Sequence, residues 1–266
     1  MLFRSGLAFT VANLPAHFGK FERRADLAYG DLPRQSLDVY VPDGAHDRPI
    51  IVFWYGGGFV NGEKSNYRFV GAALAESGYV AVLPDYRVYP EVRFPAFVDD
   101  AARALAWAVA HAREIGGDPR RIYVAGHSAG AHLAAMLAYD PARIAGVGLA
   151  RDTIRGFIGL SGPYALNPND ATLNAIFAAP YTLADWQPVQ LAGAGAPPAL
   201  LIHGEADDVV DIGHARRMAE RLQSLGVPVT LRTYPQRGHR DTVAAFAKAA
   251  PRRLPVMREI RAFVGD

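Results

Sequence analysis

The sequence predicts an α/β fold: a mostly parallel central sheet with helices on both faces and at most a small cap. Short runs of β-branched and aromatic residues alternate with longer runs of helix-forming residues, and this alternation is typical of parallel sheets. Residues 49–54 form a continuous apolar run, as expected for a strand buried on both faces. The length of 266 residues is near the upper limit of one hydrophobic core. We therefore expect a single domain over residues 1–266.

The strands are predicted from short apolar or alternating runs between turn residues. In chain order they comprise residues 35–41, 49–54, 79–83, 121–125, 156–160, 199–202 and 229–234. Polar and apolar side chains alternate in residues 35–41, which predicts a half-exposed strand at an edge of the sheet. The other runs are mostly continuous, which favours interior strands.

The helices are predicted from apolar spacing and helix propensity. They comprise residues 70–77, 99–113, 131–138 and 215–225, with further helices from Asp241 onward. In residues 99–113, Ala102, Leu105 and Val109 recur at helical spacing. The irregular stretch at about 163–198 is rich in proline, asparagine and alanine. It is too short for a domain and predicts a small cap, since long loops in compact domains often serve as lids.

Composition and charge argue against several classes of function. Half of the residues are hydrophobic and a fifth are charged, as in ordinary globular proteins. The net charge is only +2 and the arginine pairs are scattered, so we expect no nucleic-acid partner. The chain has no cysteine, which excludes disulfides, a thiolate nucleophile and cysteine-ligated zinc. We expect no metal and no cofactor, because only His203 near Asp207 shows ligand spacing, and the role of that loop described below explains this pair better.

Two features of the sequence bear on location. No apolar run is long enough to span a bilayer, so no membrane span is expected. Residues 1–12 carry one charge and a short apolar patch without a convincing cleavage site, which makes a poor signal peptide. We expect a cytoplasmic protein. A periplasmic or secreted location stays open, because a shortened sequence would look the same.

The pentapeptide GHSAG at residues 126–130 fits the G-x-S-x-G pattern of a nucleophile elbow. It lies between a predicted strand and a predicted helix, which is the context that makes this pattern specific. Such a turn is strained, so we expect a positive φ at Ser128 and a need for both glycines. The N-terminus of the helix then points at the Ser128 hydroxyl. A glycine-rich turn with an incidental serine is the alternative interpretation.

A serine hydroxyl needs a base within reach, and the base needs a third group that holds its tautomer. In folds with this elbow, an acid and then a histidine follow the serine along the chain. Asp207 lies in the loop after predicted strand 199–202, where the acid belongs. Asp208 is the first alternative to Asp207, and Glu205 is the second.

His239 is the predicted base. It follows Gly238 just after the last predicted strand, and of the eight histidines it alone lies in the loop where the base belongs. His127 and His132 flank the elbow and are expected to serve packing or the pocket. His203 ends a predicted strand and is expected to support the loop of the acid.

The tetrahedral intermediate of acyl transfer needs hydrogen-bond donors for its oxyanion. Residues 56–58 are three successive glycines after predicted strand 49–54, and without a Cβ their N–H groups can approach a ligand closely. We predict an oxyanion hole formed by Gly57, Gly58 and the N–H of Ala129. A flexible glycine turn is the alternative interpretation.

Taken together, these motifs resemble a known family. From about Leu37 to its end, the chain resembles α/β-hydrolases of the carboxylesterase type, near the hormone-sensitive-lipase-like, kynurenine formamidase-like and feruloyl-esterase-like branches. The resemblance rests on five motifs in one order: the glycines at 56–58, DYRVYPE at 85–91, GHSAGAHLA at 126–134, HGEAD at 203–207, and Gly238-His239.

The resemblance has one departure. The family usually has a histidine before the glycines, where this chain has Tyr55. A residue at this position shapes the loop rather than reacts, so the resemblance implies that activity is kept. It also implies a structural role for Arg87, which we expect to pair with a carboxylate such as Asp99 or Glu91.

The resemblance implies a serine carboxylesterase that hydrolyses small-molecule esters, of short-acyl or aryl type, through an acyl-enzyme on Ser128. An arylformamidase or other amide hydrolase with the same triad is the first alternative. A non-catalytic binding protein of the same fold is the second. Candidate residues of the pocket wall, each of which fits a core position equally well, are Phe59, Tyr164, Phe177, Tyr181 and Trp186. The sequence predicts no particular oligomeric state.

Overall fold

The computed structural model describes residues 12–13, 19–168, 171–248 and 254–265, and these contain an eight-stranded sheet. The N-terminal stretch used above for location lies almost wholly outside them. The strand order is β1-β2-β4-β3-β5-β6-β7-β8. Strand β2 is antiparallel to both of its neighbours, and all other pairings are parallel. The predicted α/β fold with a mostly parallel sheet is confirmed.

The strands occupy the predicted positions with one addition. They are β1 Phe21–Ala28, β2 Ser36–Pro42, β3 Arg48–Trp54, β4 Val80–Pro84, β5 Gly117–His127, β6 Ile154–Leu160, β7 Ala199–Gly204 and β8 Val229–Tyr234. Every residue of β3 after Arg48 is buried, as are all residues of β4, β7 and most of β6. The continuous apolar runs therefore form the interior of the sheet.

The α-helices of the described residues pack against this sheet or against one another. They are α1 Arg68–Glu76, α2 Ala96–Ala110, α3 Ala129–Tyr139, α4 Pro141–Ala145, α5 Ala171–Ile176, α6 Leu183–Trp186, α7 Pro188–Leu191, α8 Gly213–Ser224, α9 Asp241–Ala244 and α10 Val256–Val264. Helix α1 packs on β2 and β4, α3 on β5 and β6, and α8 on β7 and β8. These three helices therefore cover the sheet from β2 and β4 through β5 and β6 to β7 and β8.

The prediction that residues 35–41 form an edge strand is wrong. Strand β1 pairs along β2 and takes the edge position. Asp38 accounts for the misleading alternation: it is fully buried, and Arg23 on β1 binds its carboxylate at 2.7 Å. A buried carboxylate needs such a partner, so a polar position in this strand does not face solvent.

The cap region, residues 163–198, contains the three short helices α5, α6 and α7. Helix α7 packs on α3 and α8, and the N–H of Phe94 donates to the carbonyl of Ile176 at 3.0 Å. The region is thus tied to the body of the fold by backbone and side-chain contacts. Nowhere in the described ranges does a helix combine the length and apolar character needed to cross a bilayer.

Candidate active site

Ser128 lies between β5 and α3 at the carboxyl edge of the sheet. Its backbone has φ 55° and ψ −125°, so the predicted positive φ is confirmed. For a residue with a Cβ this conformation is strained and has to be held by its surroundings. One such restraint is the N–H of Ser128, which donates to the carbonyl of Leu160 on β6 at 2.9 Å. The side chain stays half-exposed while its flanking residues are buried.

The two glycines of the elbow are required by close approaches of the backbone. A Cβ on Gly126 would lie 2.3 Å from the backbone of Gly130. A Cβ on Gly130 would lie 2.1 Å from the carbonyl oxygen of Trp54 on β3. Both distances are far shorter than a carbon atom tolerates, so the start of α3 could not pass so close to β5 and β3 with any larger residue.

The glycine loop after β3 lies directly beside Ser128. A Cβ on Gly56 would lie 2.8 Å from the Cβ of Ser128, and a Cβ on Gly57 would meet the carbonyl of Asn61 at 1.9 Å. Gly58 has φ 61°, and a Cβ on it would make only an ordinary contact with Val60 at 3.9 Å. Among the described residues, the N–H groups of Gly57, Gly58 and Ala129 donate to no protein acceptor.

Tyr55 supports this loop from behind. It is buried and stacked on Tyr86 with a ring separation of 4.7 Å. Arg34 donates to the Tyr55 hydroxyl at 3.1 Å and also binds the carbonyls of Tyr86 and Gly62. A Cβ on Gly62 would collide with the Tyr55 ring at 2.7 Å. Tyr55 thus fixes both ends of the loop, which is the shaping role expected at this position.

A nearly buried cation completes the support of the glycine loop. The ammonium of Lys64 binds Asp26 and lies 3.4 Å from Asp38 and 3.6 Å from Asp85. Burial alone would lower the pKa of Lys64, but these three carboxylates raise it above its usual value. The backbone N–H of Lys64 donates to Asp85 at 2.7 Å. The loop therefore rests on a group of paired charges.

His239 and Asp207 form a hydrogen bond, and the His239 ring lies 4.8 Å from that of His127, the residue before Ser128. The Nδ1 of His239 lies 2.9 Å from Oδ2 of Asp207. The second oxygen of Asp207 accepts the N–H groups of Val209 and Val210 at 3.0 and 2.9 Å. Burial alone would raise the pKa of Asp207, but hydrogen bonds from His203, His239 and the Val210 N–H hold it well below its usual range. This carboxylate is ionised at neutral pH.

His203 also binds the carboxylate. Its Nε2 lies 2.8 Å from the carbonyl of Val210 and 3.2 Å from Oδ2 of Asp207, so one N–H serves the loop and the acid together. The two alternative acids lie elsewhere: Asp208 is exposed, and Glu205 accepts the hydroxyl of Thr233 at 2.7 Å. Of the three carboxylates, the structure brings Asp207 to His239.

His127 makes contacts that sequence reasoning missed. Its Nε2 lies 3.0 Å from the carbonyl oxygen of His239, and its ring is 4.8 Å from the His239 ring. Burial, and then the neighbouring His239, lower the pKa of His127 to about 3, so its ring is neutral. The position of His127 next to Ser128 in the elbow was the available signal, since it placed a polar ring beside the site.

The predicted pocket residues fall into two groups. Phe59, Phe177 and Trp186 form one buried cluster, with ring separations of 5.3 Å and 4.7 Å along the series. Tyr181 is half-buried against Phe94 at 4.9 Å. This cluster joins the cap region to the residue that follows Gly58.

For Tyr164 the structure favours the alternative of a core position. It is fully buried, and its ring packs against Phe157 of β6 at 5.7 Å. Gly159 and Gly162 leave the space that this side chain fills, because a Cβ would lie 1.9 Å from its hydroxyl on Gly159 and 2.4 Å from its ring on Gly162. Tyr164 is therefore a core residue packed on the sheet.

The prediction for Arg87 is right about a carboxylate but wrong about its identity. Arg87 binds Asp100 through both Nε and Nη2 at 2.8 Å, and its backbone N–H donates to the same carboxylate. Asp99 instead binds Arg143 at 2.7 Å. Adjacent residues of a helix point about 100° apart, so only Asp100 faces Arg87.

The described part of the chain contains no group of three metal-ligating side chains that could hold an ion. Near the elbow lie the His239–Asp207 pair, in contact with His127, and the glycine loop, in contact with Ser128. A nucleophile between a base and an oxyanion hole is the arrangement that acyl transfer needs.

Comparison with known proteins agrees with this arrangement. The family model of the prolyl oligopeptidase family matches residues 96–265, and the BD-FAE model matches residues 37–146. Esterase LipC of Mycobacterium tuberculosis is 33% identical over 77% of this chain and 56% of its own length. Carboxylesterase NlhH of the same species is 31% identical over 87% of this chain and 80% of its own length.

A solved structure supports the same relationship. The thermophilic esterase Est2 of Thermogutta terrifontis, with butyrate bound, superposes with a TM-score of 0.75 at 26% identity, covering 92% of each chain. This chain spans only 52–58% of the length of the first three curated relatives, LipC among them. The fold, the family match to more than half of the chain and the similarity to NlhH agree: the chain belongs to the α/β-hydrolases, with a match to the prolyl oligopeptidase family and a carboxylesterase relationship shown by NlhH.

Proposed function

We propose that this chain hydrolyses carboxylic esters through an acyl-enzyme on Ser128, with Asp207 and His239 as the other members of a catalytic triad. The observation that carries the proposal is the 2.9 Å hydrogen bond from His239 to Asp207, with the His239 ring 4.8 Å from that of His127, which precedes the strained Ser128 at φ 55°. Family membership adds support, because carboxylesterases share this chemistry.

The chemistry follows from the hydrogen-bond directions. Asp207 is an acceptor only, so Nδ1 of His239 carries the hydrogen and Nε2 has a free lone pair. Nε2 takes the proton of the Ser128 hydroxyl as the oxygen attacks the ester carbonyl carbon. The imidazolium that forms is stabilised by the ionised Asp207, whose charge is kept by its own hydrogen bonds.

The oxyanion of the tetrahedral intermediate is then bound by the N–H groups of Gly57, Gly58 and Ala129. When the intermediate collapses, the C–O bond to the alcohol breaks and His239 returns its proton to the leaving oxygen. A water molecule, deprotonated by the same Nε2, then attacks the acyl-enzyme. When this second intermediate collapses, the C–O bond to Ser128 breaks, His239 returns its proton to the Ser128 oxygen, and the carboxylic acid is released.

The substrates we propose are small esters of short acyl chains or aryl groups. The proposal draws support from Est2, which was solved with butyrate bound. It is also supported by the contact of Phe59, the residue after Gly58, with Phe177 in the cap region at 5.3 Å. We propose that residues 163–198 act as a small cap that contributes one wall of the site within a single domain. The cytoplasmic location stays a prediction.

The experiment that tests this function is a turnover comparison. Wild-type protein and Ser128→Ala are assayed on p-nitrophenyl esters of graded acyl length and on N-formylkynurenine. The expected result is ester turnover, highest for short acyl groups, that is lost in Ser128→Ala. Faster turnover of N-formylkynurenine would favour the arylformamidase alternative. Absence of any reaction with esters or with a fluorophosphonate would favour a binding protein.

A further inference from the structure

His127 joins the two loops that flank Ser128. It is 4% exposed, and each of its ring nitrogens faces a polar atom. Nε2 lies 3.0 Å from the His239 carbonyl, an acceptor, so Nε2 carries the hydrogen and donates. Nδ1 is then an acceptor, and it lies 3.5 Å from the hydroxyl of Tyr67, which can donate to it. The directions of both hydrogen bonds are thus fixed by a neutral ring.

Tyr67 extends this connection to the glycine loop. Its hydroxyl accepts the N–H of Gly56 at 3.3 Å, and its ring packs on Tyr55 with a separation of 5.8 Å. Gly56 directly precedes the proposed oxyanion donors. A chain of hydrogen bonds therefore runs from Gly56 through Tyr67 and His127 to the backbone of His239.

The His239 carbonyl has a second donor on its other side. The hydroxyl of Thr242 lies 3.3 Å from it, and that hydroxyl lies 3.0 Å from the hydroxyl of Ser161 at the end of β6. Thr242 and Ser161 are both fully buried. With His127, they hold the backbone of the base between β5 and β6, the two strands that also position Ser128.

We propose that His127 is a positioning residue for ester hydrolysis: through Tyr67 and the His239 carbonyl it sets the spacing between the base and the oxyanion donors. The inference rests on the proposed function. Because His127 is buried, it does not contact substrate, and its loss changes alignment rather than binding. A misplacement of the order of 1 Å in such a site costs about 10²-fold in rate. The expected loss is therefore in kcat, with KM nearly unchanged.

Two amide variants separate the two hydrogen bonds of His127. The side-chain nitrogen of glutamine reaches about as far as Nε2, so His127→Gln can still donate to the His239 carbonyl. Asparagine is shorter and places its amide near the position of Nδ1, so His127→Asn loses that donor. We expect His127→Asn to lower kcat by about 10- to 100-fold and His127→Gln to stay within about threefold of wild type. Tyr67→Phe, which removes one hydroxyl, should fall between them.

His111 provides a control away from the proposed site. Its Nδ1 lies 2.9 Å from the carbonyl of Trp107, and its ring stacks on Trp107 at 4.2 Å. It follows α2 and precedes β5, so it lies at the end of β5 opposite to Ser128. His111→Ala removes the same kind of hydrogen bond but leaves the His239 backbone untouched. It should keep kcat within about threefold of wild type.

The deciding experiment measures kcat, KM, melting temperature and the rate of fluorophosphonate labelling at Ser128 for these variants. The expected result is slow labelling and low kcat in His127→Asn, with recovery in His127→Gln and a normal kcat in His111→Ala. Equal kcat in His127→Asn and His127→Gln, or a loss of kcat in His111→Ala as large as in His127→Asn, would overturn the inference. If wild type is not labelled at Ser128, the proposed function itself fails. If a His127 variant does not fold, Tyr67→Phe decides: unchanged kcat would overturn the inference.

Discussion

The two sides of Ser128 are supported in different ways. The glycine loop rests on paired charges, with the Lys64 ammonium among three carboxylates and Arg34 bound to Tyr55. The base rests on two histidine rings and one carboxylate: the neutral His127 holds the His239 backbone, and His203 contacts Asp207, which binds the base.

This difference follows from what each side has to do. The glycine loop offers backbone N–H groups, which carry no net charge, so any rigid support serves it. The base becomes an imidazolium during the reaction, and a second cation beside it would oppose that step. Burial removes this problem, because it lowers the pKa of His127 to about 3. The base side can therefore use a histidine as a structural donor without adding charge.

The largest expected effects lie on the base side. His239→Ala should lower kcat by about 10⁶-fold, and the double variant with Ser128→Ala should be hardly worse than either single variant, since nucleophile and base act as a unit. The measurement is kcat on one p-nitrophenyl ester for the three variants. Losses that multiply in the double variant would mean that His239 acts independently of Ser128.

The acid should matter somewhat less than the base. Asp207→Asn is expected to lower kcat by about 10⁴-fold, because an amide cannot hold the tautomer or stabilise the imidazolium. Asp208→Asn is the matched control: its carboxylate is exposed and one residue away, so its kcat should stay close to wild type. A larger loss of kcat in Asp208→Asn than in Asp207→Asn would show that Asp208, and not Asp207, is the acid of the triad.

On the glycine-loop side, stability should change more than chemistry. Lys64→Met removes the cation that faces the buried Asp38 and the mostly buried Asp85, and should lower the free energy of unfolding by about 3 kcal/mol. Lys248→Met removes an exposed ion pair with Glu76 and should cost less than about 1 kcal/mol. Urea unfolding of both variants makes the comparison. Equal losses in the free energy of unfolding would show that the ion pairs of Lys64 stabilise the fold no more than an exposed ion pair does.

The buried histidines His127 and His132 should make the free energy of unfolding depend on pH. Burial lowers the pKa of His127 to about 3 and of His132 to about 4, whereas an unfolded histidine titrates at about 6.5. Between these pKa values, the two histidines therefore bind protons in the unfolded chain but not in the folded chain. The stabilisation is complete above about pH 6.5 and is lost as the pH falls towards 4, by about 1.4 kcal/mol per pH unit for each ring.

The measurement for this prediction is urea unfolding at pH 7, 6 and 5. His132→Gln should show a shallower dependence on pH than wild type, because one of the rings is gone. His46→Gln serves as the control, since His46 is 88% exposed in its side chain, and should keep the wild-type dependence. The same slope in all three proteins would contradict the account.

The smallest effect is expected at Tyr55. Tyr55→Phe keeps the ring that stacks on Tyr86 and fills the space beside Gly62, and it loses only the hydroxyl that accepts from Arg34. The cost should be about 1 kcal/mol in stability, with kcat close to wild type. A large loss of kcat would mean that the tyrosine hydroxyl takes part in the reaction.

Local patterns explain which parts of the fold and site were predictable from the sequence. The apolar run of β3 reflects burial on both faces of the sheet, and the glycines around Ser128 reflect the tight turn of the backbone. Both requirements are local, so the sequence pattern alone indicates them. Strand β1 was not predictable in this way, because FERRADLA is charged and half-exposed and its strand state depends on pairing with β2.

Contacts between distant elements were the least predictable. The sequence could not choose between Asp99 and Asp100 for Arg87, because the choice depends on the rotation of α2. It also could not show that His127 faces the His239 carbonyl, since the two are 112 residues apart. The assignment of Ser128, Asp207 and His239 as the triad stays a prediction, now joined to a specific geometry.

The most direct test of the central claim is to identify the acylated residue. Wild type and Ser128→Ala are mixed with excess p-nitrophenyl butyrate, quenched in acid within the first turnover and mapped by peptide mass spectrometry. We predict one butyryl group on Ser128 in wild type, formed together with a burst of p-nitrophenol, and neither signal in Ser128→Ala. A butyryl group on another residue, or an undiminished burst in Ser128→Ala, would contradict it.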